Sequence, residues 1–220
     1  MRHYLSHVSD RVVPMSPVDS SQTLILNAAK ACYLRLGVAK TTAADIAREA
    51  GVSRATLYRR FPSHNDIFLA VLARDSWEMV EDCARQLEGI TDPAEHAIEG
   101  ILYVLDEIVR RPLHAHLFSG ADDSWALAQV LGTPDMRDLS AQMILAMPGM
   151  EAPLDEDAQA RVAYLAEWIL RILMSFAAAP SQLARNRDEM RKLLYTTLEP
   201  TLRSVLAGTQ ASTAAVHPIR

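Results

Sequence analysis

The 220-residue sequence has few cysteines and few aromatic residues. It contains two cysteines, Cys32 and Cys83, and 6% aromatic residues. Each cysteine lies in a predicted helix among apolar residues, so we expect two buried free thiols and neither a disulfide nor a redox switch. The β-branched residues do not cluster, whereas Ala and Leu are abundant. This composition favours an all-helical fold.

Membrane-spanning segments and catalytic signatures are also missing. The longest apolar stretch, residues 162–179, is interrupted by Glu167 and Arg171 and is too short to span a bilayer. The N-terminus has no apolar signal core, so we expect a cytoplasmic protein. No Gly-rich phosphate loop, G-x-S-x-G or H-E-x-x-H motif occurs. The sequence therefore indicates no enzyme activity and no cofactor.

The net charge of −5 conceals an asymmetry between the two ends of the chain. Residues 1–65 contain nine Lys/Arg and four Asp/Glu, whereas residues 66–220 contain thirteen and twenty-three. The first part is therefore basic (+5) and the second acidic (−10). A basic end joined to an acidic body is expected when only one end meets phosphate. Chance clustering remains an alternative, since +5 is a modest charge.

The stretch 41–61, TTAADIAREAGVSRATLYRRF, has the pattern of two short helices joined by a turn. Thr41 and Thr42 supply N-cap hydroxyls for the first helix. Gly51 follows the end of this helix, where a left-handed residue is usually needed. Ser53 then caps the second helix. The pattern is that of a helix-turn-helix, whose second helix enters the major groove of DNA.

Residues 25–72 resemble the TetR family of transcriptional regulators. The matching motif runs DIAREAGVS, then TLYRRF, then an S-x-x-D start to a long helix. The resemblance implies a DNA-binding head, a ligand pocket among helices four to eight, and dimers formed by the last two helices. Two positions depart from the family pattern: Ala55 replaces a frequent Gly, and His64 replaces a Lys that often reaches a DNA phosphate. His64 would be a weaker and pH-sensitive phosphate partner.

The second helix supplies the predicted DNA contacts. We expect Arg54 to reach base edges, because Arg pairs bidentately with guanine, and Thr56 to meet a thymine methyl group. Phosphate contacts, which position the helix, are expected from Thr42 and from two later residues of the second helix. A solvated charge remains the alternative for any single arginine. The complete predicted DNA-binding set is Thr42, Ser53, Arg54, Ala55, Thr56, Tyr58, Arg59 and His64.

We divide the chain into four segments and expect about nine helices. Residues 1–19 have two prolines and no helical period, which indicates a flexible arm. Residues 20–63 form the predicted DNA-binding domain, residues 64–208 the effector-binding and dimerisation domain, and residues 209–220 a disordered tail. A long helix from His64, roughly 35 Å at ~1.5 Å per residue, would act as a lever between the two domains.

The last two predicted helices, 155–178 and 181–206, carry apolar residues on more than one face. Such helices can bury one face in their own subunit and another against a partner, which predicts a four-helix interface in a homodimer. Pro200 predicts a kink or a break. The predicted interface residues are Ile169, Leu173, Phe176, Leu194 and Leu198.

Methionine and aromatic residues of the body give the predicted effector site. The set is Trp77, Met79, Tyr103, His114, Phe118, Trp125, Met143, Met147 and Trp168. Such residues favour an apolar, adaptable pocket, but ordinary core packing remains the alternative for each. His114 and His116 point to different sides of a helix and chelate poorly, so we expect no metal.

We therefore expect an all-helical, homodimeric regulator without enzyme activity. It would repress transcription from a palindromic operator until a small, mainly apolar effector releases it. Its expected partners are double-stranded operator DNA, the effector and a second copy of the chain, with no membrane. Two alternatives stay open. A body without a cavity would favour an architectural DNA-binding protein, and a pocket with a perturbed histidine or carboxylate would favour an enzyme.

Overall fold

The computed structural model describes residues 20–118, 134–148, 150 and 155–215. The first described helix, α1 (Ser20–Leu36), buries Ile25 and Ala29 completely. It ends as predicted at Gly37, whose backbone has a φ of 85°, a conformation that side chains with a Cβ rarely adopt. The Gly37 amide donates to the Tyr33 carbonyl (2.9 Å) and closes the last turn.

Two short helices follow, as the sequence predicts. They are α2 (Ala43–Glu49) and α3 (Arg54–Arg60). Helix α2 packs against both α1 and α3, and the fully buried Ile46 and Leu57 provide the apolar contact. The three helices therefore form the small bundle that positions α3.

The next three helices begin at the predicted capping and proline signals. Helix α4 (His64–Gln86) has 23 residues and starts at the Ser63–Asp66 pair, where the Asp66 amide donates to Ser63 Oγ (3.1 Å). Helices α5 (Pro93–Arg110) and α6 (Pro112–His116) both begin with proline. Proline suits this position because the missing N–H would have no partner inside the helix.

The C-terminal part contains α7 (Pro134–Leu145), α8 (Glu156–Ala178), α9 (Arg187–Thr197) and α10 (Glu199–Ala215). The helix start predicted at Ser181 is wrong, because α9 begins at Arg187. The kink or break predicted at Pro200 is confirmed, because α9 ends at Thr197 and α10 begins at Glu199. Ser181 Oγ instead accepts the Leu183 and Ala184 amides (3.2 and 3.0 Å) and forms a turn. Pro200 has no amide with which to continue α9.

The predicted tail also differs from the structure. Residues 209–215 continue α10, because the alanines among them favour a helix and an interior Gly208 costs only about 1 kcal/mol. The predicted arm, residues 1–19, lies outside the described residues, as do residues 216–220.

The chain divides into two compact units. Among the described residues, the head unit comprises residues 20–78 and 110–118, and the body unit comprises residues 79–109, 134–148, 150 and 155–215. This division does not follow the boundary expected after residue 63, since residues 64–78 of α4 belong to the head unit. The functional domain boundaries remain a prediction.

The described residues form ten helices and no strand, which confirms the predicted all-helical class. Helices α8 and α7 pack together in the body unit, and α10 packs on α8 and α9. Within the described chain, no helix is both long and apolar enough to cross a membrane.

Candidate DNA interface and body cavity

A reciprocal cap fixes the start of α2. The Asp45 amide donates to Thr42 Oγ1 (3.2 Å), and the Thr42 amide donates to Asp45 Oδ2 (3.1 Å). The Thr42 hydroxyl also donates to the same carboxylate (2.6 Å). Bonds from the Thr42 hydroxyl and amide, together with Arg48, lower the pKa of Asp45. Thr42 therefore positions the start of the helix and is exposed; its contact with DNA remains a prediction.

The turn between α2 and α3 depends on Gly51. Its φ of 65° is left-handed, and the Val52 amide donates to the Ala47 carbonyl (3.0 Å) across the turn. Ser53 caps α3 by accepting the Thr56 amide (3.1 Å). The predicted turn and the caps at Thr42 and Ser53 are thus confirmed. The predicted cap at Thr41 is wrong, because the Thr41 hydroxyl donates to the Gly37 carbonyl (2.8 Å) at the end of α1.

Helix α3 buries one side and exposes the other. Leu57 is fully buried and Phe61, just past the helix end, is 5% exposed. The predicted contact residues Arg54, Ala55, Tyr58 and Arg59 are exposed, as is Ser53, and Thr56 is half-buried. The exposed side therefore presents three arginines, since Arg60 is also exposed, and a phenol. These groups bind phosphates and guanine edges.

His64 differs from the simple phosphate contact that the sequence suggests. Its ring is half-buried and lies edge-on to Tyr33, with the ring centroids 5.7 Å apart. Burial lowers the pKa of His64, so the imidazole is neutral at pH 7. A neutral, packed ring attracts phosphate weakly; its role at DNA remains a prediction.

A buried polar network in the head unit joins α1, α4 and α6. Asp75 accepts Lys30 Nζ at Oδ1 (2.7 Å) and faces His114 Nδ1 at Oδ2 (3.1 Å). Ser76 Oγ lies 3.0 Å from His114 Nε2 and donates to the Leu72 carbonyl (3.0 Å). Burial alone would raise the pKa of Asp75, but bonds with His114 and Lys30 hold that pKa well below its ordinary value.

Ser76, His114 and Asp75 lie in the same order as the residues of a catalytic triad, but their surroundings do not suit catalysis. Ser76 and His114 are each 5% exposed, so no substrate reaches the hydroxyl. The Ser76 proton is also committed to a carbonyl of its own helix. We interpret the polar network as structural, and it explains why His114, a predicted effector residue, is buried.

The body unit contains an apolar cavity with a volume of about 60 Å³. Helices α5, α7 and α8 supply most of its wall. Its lining residues are Leu87, His96, Ala97, Gly100, Ile101, Val104, Ser140, Met143, Ile144, Met147, Ala166, Ile169, Leu170 and Leu173. His96 is 6% exposed, and burial lowers its pKa to about 4.

Two of the nine predicted effector residues, Met143 and Met147, line this cavity. Trp77, Tyr103 and Phe118 are half-buried, and Met79 is buried, without lining it. Trp168 is exposed on α8, and Trp125 lies outside the described residues. The sequence signal that we missed was the spacing of His96, Gly100 and Val104, which places all three on one face of α5.

The predicted dimer residues are more buried than a surface set should be. Leu194 and Leu198 are each 2% exposed within a single chain. Ile169 and Leu173 line the cavity, and Phe176 is half-buried. The exposed face of α8 instead carries four alternative residues: Ala160, Ala163, Tyr164 and Trp168. Tyr164 is 75% exposed and Trp168 38%.

The described residues contain no cluster of three or more His, Cys, Asp or Glu side chains that could hold a metal ion. His96 is perturbed by burial, yet Ser140 is the one other polar lining residue among those described. The cavity thus lacks the acid–base pair that an enzyme needs.

Residues 25–71 match the family model described as bacterial regulatory proteins, tetR family. This segment, from α1 to the first turns of α4, has the tetR-family DNA-binding pattern. Helices α2 and α3 lie inside the matched residues and form the helix-turn-helix of that pattern.

The curated relatives of this chain are named as transcriptional regulators. An uncharacterized HTH-type transcriptional regulator of Mycobacterium tuberculosis, MT2310, is 37% identical over 84 residues, 38% of this chain and 42% of the relative. The match to these first relatives thus spans less than half of their length. A second mycobacterial regulator, MT1294, is 25% identical over 194 residues, 88% of this chain and 90% of its own.

The solved structure of the TetR-family repressor AlkX from Dietzia sp. has the same fold. It superposes with a TM-score of 0.63 at 17% sequence identity, covering 86% of this chain and 97% of AlkX. At that identity the likeness concerns the fold alone.

Proposed function

We propose that the protein is a homodimeric repressor that leaves its operator when a small apolar molecule binds the body unit. The observation that carries this proposal is the presence of two sites in one chain. The exposed side of α3 suits DNA, and the cavity of the body unit suits a ligand. As a bacterial DNA-binding regulator it would act in the cytoplasm.

The DNA-binding step follows from the geometry of α3. The caps at Thr42 and Ser53 and the turn at Gly51 hold the helix in place without DNA. Arg54 then reads base edges, while Tyr58 and Arg59 contact phosphates. One short helix reads few bases, so two copies would read a palindrome with half-sites ~34–36 Å apart.

The exposed face of α8 is our candidate dimer surface. Ala160 and Ala163 allow close approach of a second helix, and Tyr164 and Trp168 supply the large apolar contacts that anchor interfaces. Glu167 and Arg171 pair with each other on the same face (2.6 Å), so they bring no unpaired charge into the contact. This replaces Leu194 and Leu198 as the residues that we expect to meet the partner.

The ligand-dependent step uses α4. Residues 64–78 of this helix belong to the head unit and residues 79–86 to the body unit. A ligand that favours a different position of α4 would change the spacing of the two heads and weaken DNA binding. Such coupling is typically about 1–3 kcal/mol.

Selection of DNA from a random library by the purified protein tests the function. We expect enrichment of a palindromic sequence that binds two chains, with an affinity that falls steeply as salt rises. Fluorescence anisotropy on the selected and the shuffled sequences measures the sequence preference and the salt dependence of the affinity. Equal binding to both sequences would contradict the proposal and favour an architectural protein.

A further inference from the structure

The cavity in the body unit has an almost uniformly apolar wall. Its lining is hydrocarbon and thioether apart from two residues, His96 on α5 and Ser140 on α7. Among the described residues, no Lys, Arg, Asp or Glu lines it. The charged groups of α5, such as Glu99 and Asp106, instead pair with Arg191 and Arg187 of α9.

The apolar wall should discriminate most strongly between charged and uncharged ligands. An ionised carboxylate or ammonium group is costly to bury unless an opposite charge or several hydrogen bonds compensate it. His96 offers no such charge, because burial lowers its pKa to about 4 and keeps it neutral at pH 7. An ammonium group would find no carboxylate on the described wall.

The size of the site is set by small and adaptable residues. At Gly100 an added Cβ would lie 3.4 Å from Leu87 Cδ1 and 3.9 Å from Cys83 Sγ, so the missing side chain leaves room. The volume of about 60 Å³ is several times the ~10–15 Å³ that one water needs. Met143 and Met147 line the same cavity, and their flexible side chains can move to admit a larger molecule.

We propose that this cavity binds an uncharged, predominantly hydrocarbon molecule with at most one hydroxyl group, and rejects the acid and the amine of the same shape. The regulatory meaning of this preference rests on the proposed function. The preference itself is a property of the body unit, so it can be measured without DNA.

The test is calorimetric titration of the full-length protein at pH 7.5 with matched probes. The first set is benzyl alcohol, sodium benzoate and benzylamine; the second is 1-hexanol, sodium hexanoate and hexylamine. We expect each alcohol to bind at least tenfold more tightly than the acid and the amine of its set. Equal or tighter binding of an ion would overturn the proposal, and so would no binding by any of the six at millimolar concentration.

Variants locate the binding. Gly100→Leu should fill the cavity and weaken benzyl alcohol binding at least tenfold, whereas Ala31→Leu, on an exposed position of α1, should not change it. Gly100→Ala adds a single methyl group that fits beside Leu87 and should weaken binding less, which keeps the test valid if the leucine variant fails to fold. Unchanged binding in both Gly100 variants would overturn the assignment of the site.

The same probes, added to the protein–DNA complex, separate this inference from the proposed function. If the alcohols bind but DNA affinity does not change, the ligand-responsive function is wrong and the cavity preference stands. If only the acids or amines release DNA, the cavity preference is wrong and the ligand response stands.

Discussion

Arg54 is the residue on which sequence reading by α3 most depends. A cation at the first turn of a helix is electrostatically unfavourable, and the side chain is exposed, so stability does not explain an arginine there. We expect Arg54→Ala to weaken binding to the selected operator by about 1–3 kcal/mol and to relax the preference at one base position in each half-site. Anisotropy titrations measure the loss.

Arg85→Ala is the matched control for this prediction. It removes an equal charge from an exposed position of α4 in the body unit, where Arg85 pairs with Asp82. We expect little change in DNA affinity. A loss for Arg54→Ala that is equal on operator and shuffled DNA would show that this side chain contacts only phosphate.

His96 should make the stability of the protein depend on pH. The unfolded chain binds a proton near the ordinary pKa of 6.5, whereas the folded chain binds it only near pH 4. The unfolded state therefore holds more protons between these values, and stability falls as the pH drops through this window. From pH 7 to pH 5 this residue should cost about 2 kcal/mol.

Urea unfolding of the wild type and of His96→Phe at both pH values measures this cost. The variant should lose about 2 kcal/mol less than the wild type between pH 7 and pH 5. His64, whose pKa burial also lowers, is present in both proteins and cancels in the comparison. Parallel losses in the two proteins would show that His96 is not buried as a neutral ring.

At the residue scale, the sequence predicted those side chains whose role is local. Thr42, Ser53 and Gly51 act on backbone groups within three or four residues, so spacing alone identifies them. His114 and His96 depend on residues far along the chain. The partners of His114 are 38 and 39 residues away, and no local pattern identifies such contacts.

At the scale of elements, the polar network joins three helices through one carboxylate. Asp75 is held by Lys30 of α1 and by His114 of α6, and Arg111 Nη1 lies 3.7 Å away. We expect Asp75→Ala to lower the free energy of unfolding by about 3 kcal/mol, since it removes the one buried carboxylate that Lys30, His114 and Arg111 share. Chemical denaturation measures the loss.

Glu78→Ala provides the comparison for Asp75. Glu78 also pairs with Lys30 (2.5 Å), but its side chain is 43% exposed, and exposed pairs contribute at most about 1 kcal/mol. Similar small losses in the two variants would contradict the view that the buried carboxylate organises these helices.

The helix boundaries show which elements a sequence can predict. Gly37, Gly51, Pro93 and the serine caps end or start helices at the expected positions. The break between α9 and α10 was foreseen only as a kink or a break at Pro200. At the end of α9, the Thr196 and Thr197 hydroxyls donate hydrogen bonds to the Lys192 and Leu193 carbonyls (2.7 and 2.8 Å). Such side-chain bonds depend on rotamers, which a sequence does not specify.

At the scale of the whole molecule, the exposed face of α8 is expected to form the homodimer. Replacing both Tyr164 and Trp168 by alanine should convert the protein to monomers at micromolar concentration, because the two rings are the largest exposed apolar groups on that face. Light scattering after size exclusion measures the mass. Val109→Ala changes a residue that is 76% exposed on α5 and should leave the dimer intact.

A dimer that survives loss of both rings would place the interface elsewhere. The sequence indicated the two C-terminal helical segments as candidates but not which side of α8 is exposed. Apolar residues cover more than one face of α8, and only the packing of α7 and α10 on that helix decides which face stays exposed.

The cavity illustrates the same limit at the largest scale. Its wall combines residues between 87 and 173, which are far apart in the sequence. A cavity is the space that packed side chains leave empty, and amino-acid composition does not predict that space. The Met and aromatic residues of the body predicted an apolar pocket, and two of them, Met143 and Met147, line the cavity. That this cavity binds an effector remains a prediction.

The central claim is that one chain couples DNA binding to ligand binding, and operator affinity with and without a saturating apolar ligand measures this most directly. Fluorescence anisotropy of the selected operator, titrated with dimer in buffer or in saturating benzyl alcohol, gives the two dissociation constants. We predict that the ligand weakens DNA binding roughly 5- to 150-fold, the range that typical coupling energies produce. Equal dissociation constants, with calorimetry showing the ligand bound, would contradict a ligand-responsive regulator.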